Sequence, residues 1–270
     1  MRFLLVMLAV SLMSANVFAA EKSFLMATTT STDNTGLLEY LEPIFEKDTG
    51  IDWKWTATGT GKALELGKNC DADILLVHAP PAEKKYINNG YGVYRKEVMY
   101  NDFVVVGPPS DPANIKGKDV TEALEAIYDK SETFVSRGDD SGTNKKEILL
   151  WDSAGINDYN KKSWYKETGQ GMITTLNIAT EMNGYTMTDR GTYIKYQSNY
   201  DGKAPLQILV EGDKILYNQY SLIPVSKKRC PYVKIKLAEK FIKWMTSDKI
   251  QQAIADYRLL NKKLFIPNAK

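Results

Sequence analysis

Apolar positions along the chain follow two rhythms that take turns. From Phe24 to Ala27 they run continuously, as in a buried strand, whereas Leu37, Leu38, Leu41, Ile44 and Phe45 recur at helical spacing in a stretch that Gly50 closes. Ile51 to Trp55 reads as the next strand, Ala63, Leu64 and Leu66 as the inner face of a second helix, and Ile74 to Val77 as a third strand. This alternation predicts an α/β fold, a mostly parallel sheet with helices on its faces. Two longer extended runs stand apart, Tyr100 to Pro108 and Tyr217 to Val225. Each opens on a Tyr-Asn pair and reaches a proline, and we read them as crossover strands joining two lobes. Between them the alternation resumes at Leu124 and Ile127, Thr133 to Ser136, Ile148 to Trp151 and Met172 to Met182; the tail adds helices at Leu237 to Met245 and Ile250 to Tyr257. The expected organisation is a first lobe of residues 20–107 and 219–270, a second lobe of residues 108–218 inserted into it, and a ligand cleft between them. A single larger sheet is the alternative.

The first 19 residues read differently. One positive charge, Arg2, precedes an apolar stretch too short to anchor a bilayer, which ends in Val17-Phe18-Ala19-Ala20. That is the pattern of a secretory signal peptide, cleaved after Ala19 or after Ala20, and it predicts a periplasmic protein. The remainder, 43% hydrophobic and 25% charged overall, suits an ordinary globular chain able to bury a core. With 35 Lys and Arg against 33 Asp and Glu, interspersed, the net charge of +2 argues against a nucleic-acid partner. Cys70 and Cys230 are free to pair in an oxidising compartment or to stay as two buried thiols. His78 is the only histidine and neither cysteine has a short-spaced companion, so no bound metal cation and no cofactor are expected.

Ligands of open α/β sheets bind where strands end and helices begin, and helix N-termini favour anions. Four polar turns occupy such places. Thr28 to Gly36 is rich in hydroxyls; capping accounts for one or two of Thr32, Asp33 and Asn34 and leaves Thr29, Thr30 and Ser31 as candidate donors. Thr56 to Lys62 resembles a phosphate loop but lacks its glycine spacing and has Ala63 where Ser or Thr is needed, so it reads as a tight turn with Thr60 as donor. In Ser136 to Asn144, Arg137 ends a strand while Ser141, Gly142 and Thr143 start a helix, bringing a guanidinium and a helix N-terminus to one anion. Pairing of Arg137 with Asp139 or Asp140 is the competing account. Thr188 to Tyr193 either reaches the cleft or places Asp189 and Arg190 as structural groups beside the crossovers. A hydroxyl would be useful at the strand end after His78, and Ala79 stands there; His78 itself reads as structural.

Thr28 to Thr35, Ser136 to Thr143 and Thr188 to Tyr193 resemble the signature segments of the extracytoplasmic tungstate-binding family, the TupA-type component of tungstate ABC importers. The likeness extends over essentially the whole mature chain. It implies a type II periplasmic binding protein fold, a monomer that holds a small oxyanion between its lobes and hands it to a membrane permease. Carried over, Thr30, Ser31, Arg137 and Thr143 come first as ligand residues, then Thr60 and Ser141, with Thr29 and Gly142 completing the set. Molybdate, sulfate and phosphate are the alternative anions; a periplasmic hydrolase has less behind it, since one histidine assures no Ser-His-Asp set, and a ligand sensor for a membrane receptor would share the fold.

Overall fold

The structure is a computed structural model that describes residues 22–270; the expected signal segment and its cleavage point lie outside the described residues. The chain runs β1 (Ser23–Thr29), α1 (Thr30–Asp33), α2 (Leu37–Thr49), β2 (Asp52–Thr58), α3 (Thr60–Lys68), β3 (Ile74–Val77), α4 (Pro80–Asn88) and β4 (Lys96–Gly107). It continues through α5 (Val120–Lys130), β5 (Phe134–Ser136), α6 (Gly142–Ser153), β6 (Tyr165–Glu167), α7 (Met172–Glu181), β7 (Thr186–Asp189), α8 (Arg190–Ser198) and β8 (Gln207–Val210). Then come β9 (Tyr217–Pro224), α9 (Ile235–Met245), α10 (Asp248–Asp256), and the short β10 (Arg258–Leu259), β11 (Lys262–Lys263) and β12 (Ile266–Pro267).

Strands β2, β1 and β3 lie parallel, as their alternation with helices requires. Beside β3 run the two long strands anticipated from the paired Tyr-Asn segments: β9 is antiparallel to β3, and β4 is antiparallel to β9. The first part of β4 pairs with β9 from Lys96 to Asp102; from Phe103 to Gly107 it pairs instead with β7 and β8. One strand thus belongs to two sheet regions. A small parallel pair, β5 with β6, lies near β7 through the bridge from Phe134 to Tyr185.

Side chains on a strand point to opposite faces in turn, and the packing obeys that period of two. Ile74, Leu76, Tyr220 and Leu222 enter a core with α2, α9 and α10, where Phe45 meets Trp53, Phe241 and Trp244 mostly edge-on. The residues between them, Leu75, Val77 and Ile223, enter a second core on the other face with Ala63 and Tyr86. Further along, Phe103 and Val105 pack with α5, Trp151 and Leu209, while Val104 and Val106 pack with Leu176 and Tyr196. Each half is therefore helix, sheet, helix in layers. Among the described residues, no helix is long and apolar enough to cross a membrane.

The question left open for the cysteines has an answer: Cys70, in the turn after α3, is disulfide-bonded to Cys230, in the loop after β9, across 160 positions of sequence. The bond pins the returning chain to the first core, where Cys230 is buried with Val225 and Val233. A second buried feature lies under the loop after β5. Glu147 of α6 is 3% exposed and accepts hydrogen bonds from Ser136 Oγ at 2.6 Å, Tyr165 Oη at 2.7 Å and Trp151 Nε1 at 3.2 Å. Burial pushes its carboxyl up to about 7, and those three donors only partly offset the desolvation.

Two expectations follow. In the chain-entropy account a bridge over so long a loop stabilises by roughly 2–5 kcal/mol, so the double replacement Cys70→Ser/Cys230→Ser should lower the urea midpoint markedly; an unchanged midpoint would refute this. A carboxyl whose pKa rises on folding favours the folded state at low pH, and that advantage fades as pH climbs from about 4.5 to about 7. Glu147→Gln lacks the titrating group, so its stability relative to the unmodified chain should improve between pH 5 and pH 8, by roughly 3 kcal/mol. Denaturant titrations at the two pH values showing the reverse trend would contradict the assignment.

Candidate functional site

Strands β1, β2, β3 and β5 all end toward one place, and the helices that follow them start there. The result is a cavity of about 330 Å³ lined by Thr29, Thr30 and Ser31, by Thr58 to Lys62, by His78, by Arg137, and by Asp139 to Thr143. All of the candidates Thr29, Thr30, Ser31, Thr60, Arg137, Ser141, Gly142 and Thr143 are brought together by it. The two walls come from segments more than 50 positions apart and approach closely. A Cβ built on Gly142 would lie 3.0 Å from both Thr60 Oγ1 and His78 Cε1, so a larger residue there would push the start of α6 away from the opposite wall by a few tenths of an ångström.

Each wall is built around helix starts. Unpaired N–H groups at the first turn of a helix need a partner from outside it. Helix α3 opens at Thr60 after Gly59, with no side-chain cap. Helix α6 opens at Gly142, and Ser141 Oγ caps it by accepting the N–H of Asn144; Gly142 and Thr143, the first residues of that turn, line the cavity. At α1, a single turn that the hydroxyl-rich segment did not announce, Thr29 is the cap and accepts Thr32 N–H at 3.2 Å. Thr28 plays no part in the cavity, since its hydroxyl donates to Leu76 O. Helix α4 is the exception that explains the doubtful edge at Ala79. Its first two positions are Pro80 and Pro81, which have no N–H, and the Ala79 N–H donates to Glu83 Oε1 at 2.5 Å. That helix start is satisfied by its own chain.

Charges in the cavity are largely matched. Arg137 Nη2 donates to Asp139 Oδ2 at 2.5 Å, so the competing account of Arg137 is realised for one edge of the guanidinium. Its Nε, however, is buried and has no partner. Lys145 pairs with Asp140 at the rim. Burial pushes the Asp139 carboxyl up, but hydrogen bonds from Ser141 and the Arg137 charge outweigh it and hold the group below its ordinary value. Thr60, 1% exposed, also carries a buried hydroxyl with no partner. An unpaired buried polar atom costs about 1–3 kcal/mol, and here two of them stand on residues lining one cavity.

His78, read from sequence as structural, sits in the wall. Its Nε2 is 3.1 Å from Thr29 Oγ1 and 3.1 Å from Ser31 Oγ, and its Nδ1 is 2.8 Å from Asn218 Oδ1. Desolvation pulls its pKa down, against the opposing pull of Asp189, so the ring is neutral at neutral pH. A lone histidine at a strand end gave no periodic signal of this contact. In the fourth turn Asp189 and Arg190 are structural: Arg190 donates to both oxygens of Asp102 at 2.6 Å and to Glu211 at 2.7 Å, beside the two long strands, and Asp189 caps α8 through Thr192. Thr192 lines an adjoining cavity of about 270 Å³ that shares Thr30, Ser31 and Arg137 and reaches the start of α7. Among the described residues there is no group of three or more His, Cys, Asp or Glu side chains placed to hold a metal ion.

What this arrangement offers chemically is a set of N–H, hydroxyl and guanidinium donors around a small space, which suits an oxyanion. Comparison with known proteins gives the same direction. Residues 16–249 match the PBP superfamily domain. The tungstate-binding protein TupA of Campylobacter jejuni is 51% identical over 240 residues, covering 89% of this chain and 89% of the relative. TupA of Peptoclostridium acidaminophilum is 44% identical over 93% of this chain and 87% of its own length. The solved structure of TupA from Desulfovibrio alaskensis is 58% identical and superposes with a TM-score of 0.86, covering 92% of this chain and 99% of that one. By both sequence and architecture the chain belongs to the PBP superfamily and, within it, to the TupA family of tungstate-binding proteins.

Proposed function

We propose that this protein is a periplasmic solute-binding protein that captures tungstate and delivers it to the membrane permease of an ABC importer. The observation that carries the reading is the pair of buried, partnerless donors on the cavity wall, Thr60 Oγ1 and Arg137 Nε, together with the open starts of α3 and α6. An anion seated there satisfies all of them at once. In this reading Thr30, Ser31, Thr60 and the start of α3 hold it from one lobe, and Arg137, Ser141, Gly142 and Thr143 from the other. Thr29 belongs to the set as the cap that shapes α1, since its hydroxyl is engaged with Thr32, Ser31 and His78.

Capture works by closure. The lobes are proposed as residues 20–107 with 219–270 and residues 108–218, tied together by β4, whose pairing passes from β9 to β7 and β8 after Asp102. Because each lobe supplies part of the donor set, affinity depends on bringing both together. The protein acts as a monomer without catalysis, secreted by cleavage after Ala19 or Ala20. Tungstate is preferred to molybdate, sulfate and phosphate in this reading on the strength of the relatives named above; the donor set itself favours any fully deprotonated dianion.

Calorimetric titration with tungstate and with each competing oxyanion tests the assignment, and tighter binding of phosphate than of tungstate would refute it. Arg137→Ala should weaken tungstate binding by at least about tenfold, the value of one hydrogen bond to a charged group. Thr60→Val keeps the shape and removes the hydroxyl: affinity should fall by about tenfold while the melting temperature without ligand holds or rises, because an unpaired buried group is gone. Loss of stability with unchanged affinity would place that hydroxyl outside the ligand set.

A further inference from the structure

We propose that His78 is a positioning residue of the anion cavity: the lone pair on its Nε2 takes the Thr29 hydroxyl proton, leaves the Ser31 proton to the anion, and ties this arrangement to both crossover strands. The inference rests on the anion-capture reading and assigns the histidine a place within it.

The direction of every proton follows from the far end of the network. Asn218 Nδ2 donates to Asn101 Oδ1 at 2.8 Å and to Tyr220 Oη at 3.2 Å. With the two amides in this orientation its Oδ1 faces His78 Nδ1, 2.8 Å away, and that nitrogen carries the proton. In the neutral ring Nε2 is then bare and accepts. Two hydroxyls lie 3.1 Å from it, but one lone pair takes one proton. Thr29 is 3% exposed and its Oγ1 already accepts Thr32 N–H, so its proton turns inward to the ring. Ser31 lines the cavity and keeps its proton for an oxygen that has none. Without an acceptor at this place the Thr29 proton turns to Ser31 Oγ, 3.1 Å away, or to Thr32 Oγ1, 2.6 Å away, and the hydroxyl orientations become mixed.

The ring's hydrogen-bond contacts are all with uncharged side chains. Asp189 at the start of α8 and Arg137 act on it through space in opposite senses, Tyr220 of β9 lies against its face at 4.8 Å, and Lys62, Asp139 and Asp140 line the same cavity. The far anchor is the pair of Tyr-Asn segments that marked the crossovers in sequence. Asn101 and Asn218 are register partners on β4 and β9, and Tyr100 stacks on Tyr217 at 4.9 Å. The ring beside the Thr29 and Ser31 hydroxyls is thus one hydrogen bond from β9 and two from β4.

The test measures tungstate affinity by calorimetry, and melting temperature without tungstate, for the unmodified chain and for His78→Ala, His78→Gln and His78→Asn. A glutamine oxygen reaches the place of Nε2, whereas asparagine reaches only that of Nδ1. His78→Ala and His78→Asn should each bind about tenfold more weakly, and His78→Gln should recover to within about threefold of the unmodified chain, whatever the order of melting temperatures. Affinity unchanged in His78→Ala, or His78→Gln as weak as His78→Asn, would overturn the role. Should His78→Ala not fold, the comparison of glutamine with asparagine decides. An unmodified chain that ignores tungstate overturns the capture reading and this role together, whereas a failure confined to the glutamine variant overturns the role alone.

Discussion

One strand pairing sets the rest of the geometry: β4 against β9. Because β4 pairs with β9 along its first part and with β7 and β8 along its second, the two halves share a continuous backbone ladder. Alternation of side chains along that ladder sends Phe103 and Val105 to one core and Val104 and Val106 to another, so a slip of one residue would invert both faces at once. The same register brings Asn101 opposite Asn218, and Asn218 is what orients His78. The position of the anion cavity, with hydroxyls from one half and an arginine from the other, is therefore a consequence of strand register more than of any contact across the cleft.

The cavity is not a simple concentration of positive charge. Arg137 is matched by Asp139 and Lys145 by Asp140, and both acids are part of the lining or its rim. Formal charges nearly cancel, so attraction for an anion comes chiefly from oriented dipoles: the first N–H groups of α3 and α6, the hydroxyls of Thr60 and Ser31, and the free Nε of Arg137. Such a site asks little of the empty protein, because no cluster of like charges must be held together. It is also selective in its use of helices. Helix α4 starts at the same edge yet offers less, since its first two positions are prolines and the Ala79 N–H is taken by Glu83.

Much of this was legible in the sequence, and what was not has a common cause. Strands and helices followed from local periodicity, which is why β3 appeared with its observed bounds and the two Tyr-Asn segments fall on the long strands β4 and β9. Hydroxyls crowded before a helix, and an arginine between a strand and a helix, are also local signals, and the candidates they named meet in one cavity. The single turn of α1 was hidden because the same Thr and Ser residues that form it also suit a loop. His78 depends on Asn218, 140 positions away, and the role of Arg190 on Asp102, 88 positions away. Partners that distant leave no trace in spacing. Nothing in the spacing singles out Glu147; only the fold reveals that Ser136, Trp151 and Tyr165 close over it.

Direction of hydrogen bonding gives the site its chemical preference. A protonated oxyanion has a donor to place, and most of the nearby acceptors are in use: Asp139 by Arg137 and Ser141, one oxygen of Asp140 by Lys145, and His78 Nε2 by the Thr29 hydroxyl, which leaves the second oxygen of Asp140. A fully deprotonated dianion has only acceptors, which suit the two partnerless buried donors of the wall, Thr60 Oγ1 and Arg137 Nε. The neutral histidine strengthens this bias, since it removes the one hydroxyl proton that has a competing use and leaves the other pointing outward. Protonation state is thus read by proton direction, through a network anchored on β4 and β9, while the close approach of Gly142 to Thr60 limits the size of what fits between the walls. Both criteria descend from the same strand register, which places the donors and spaces the walls in a single step.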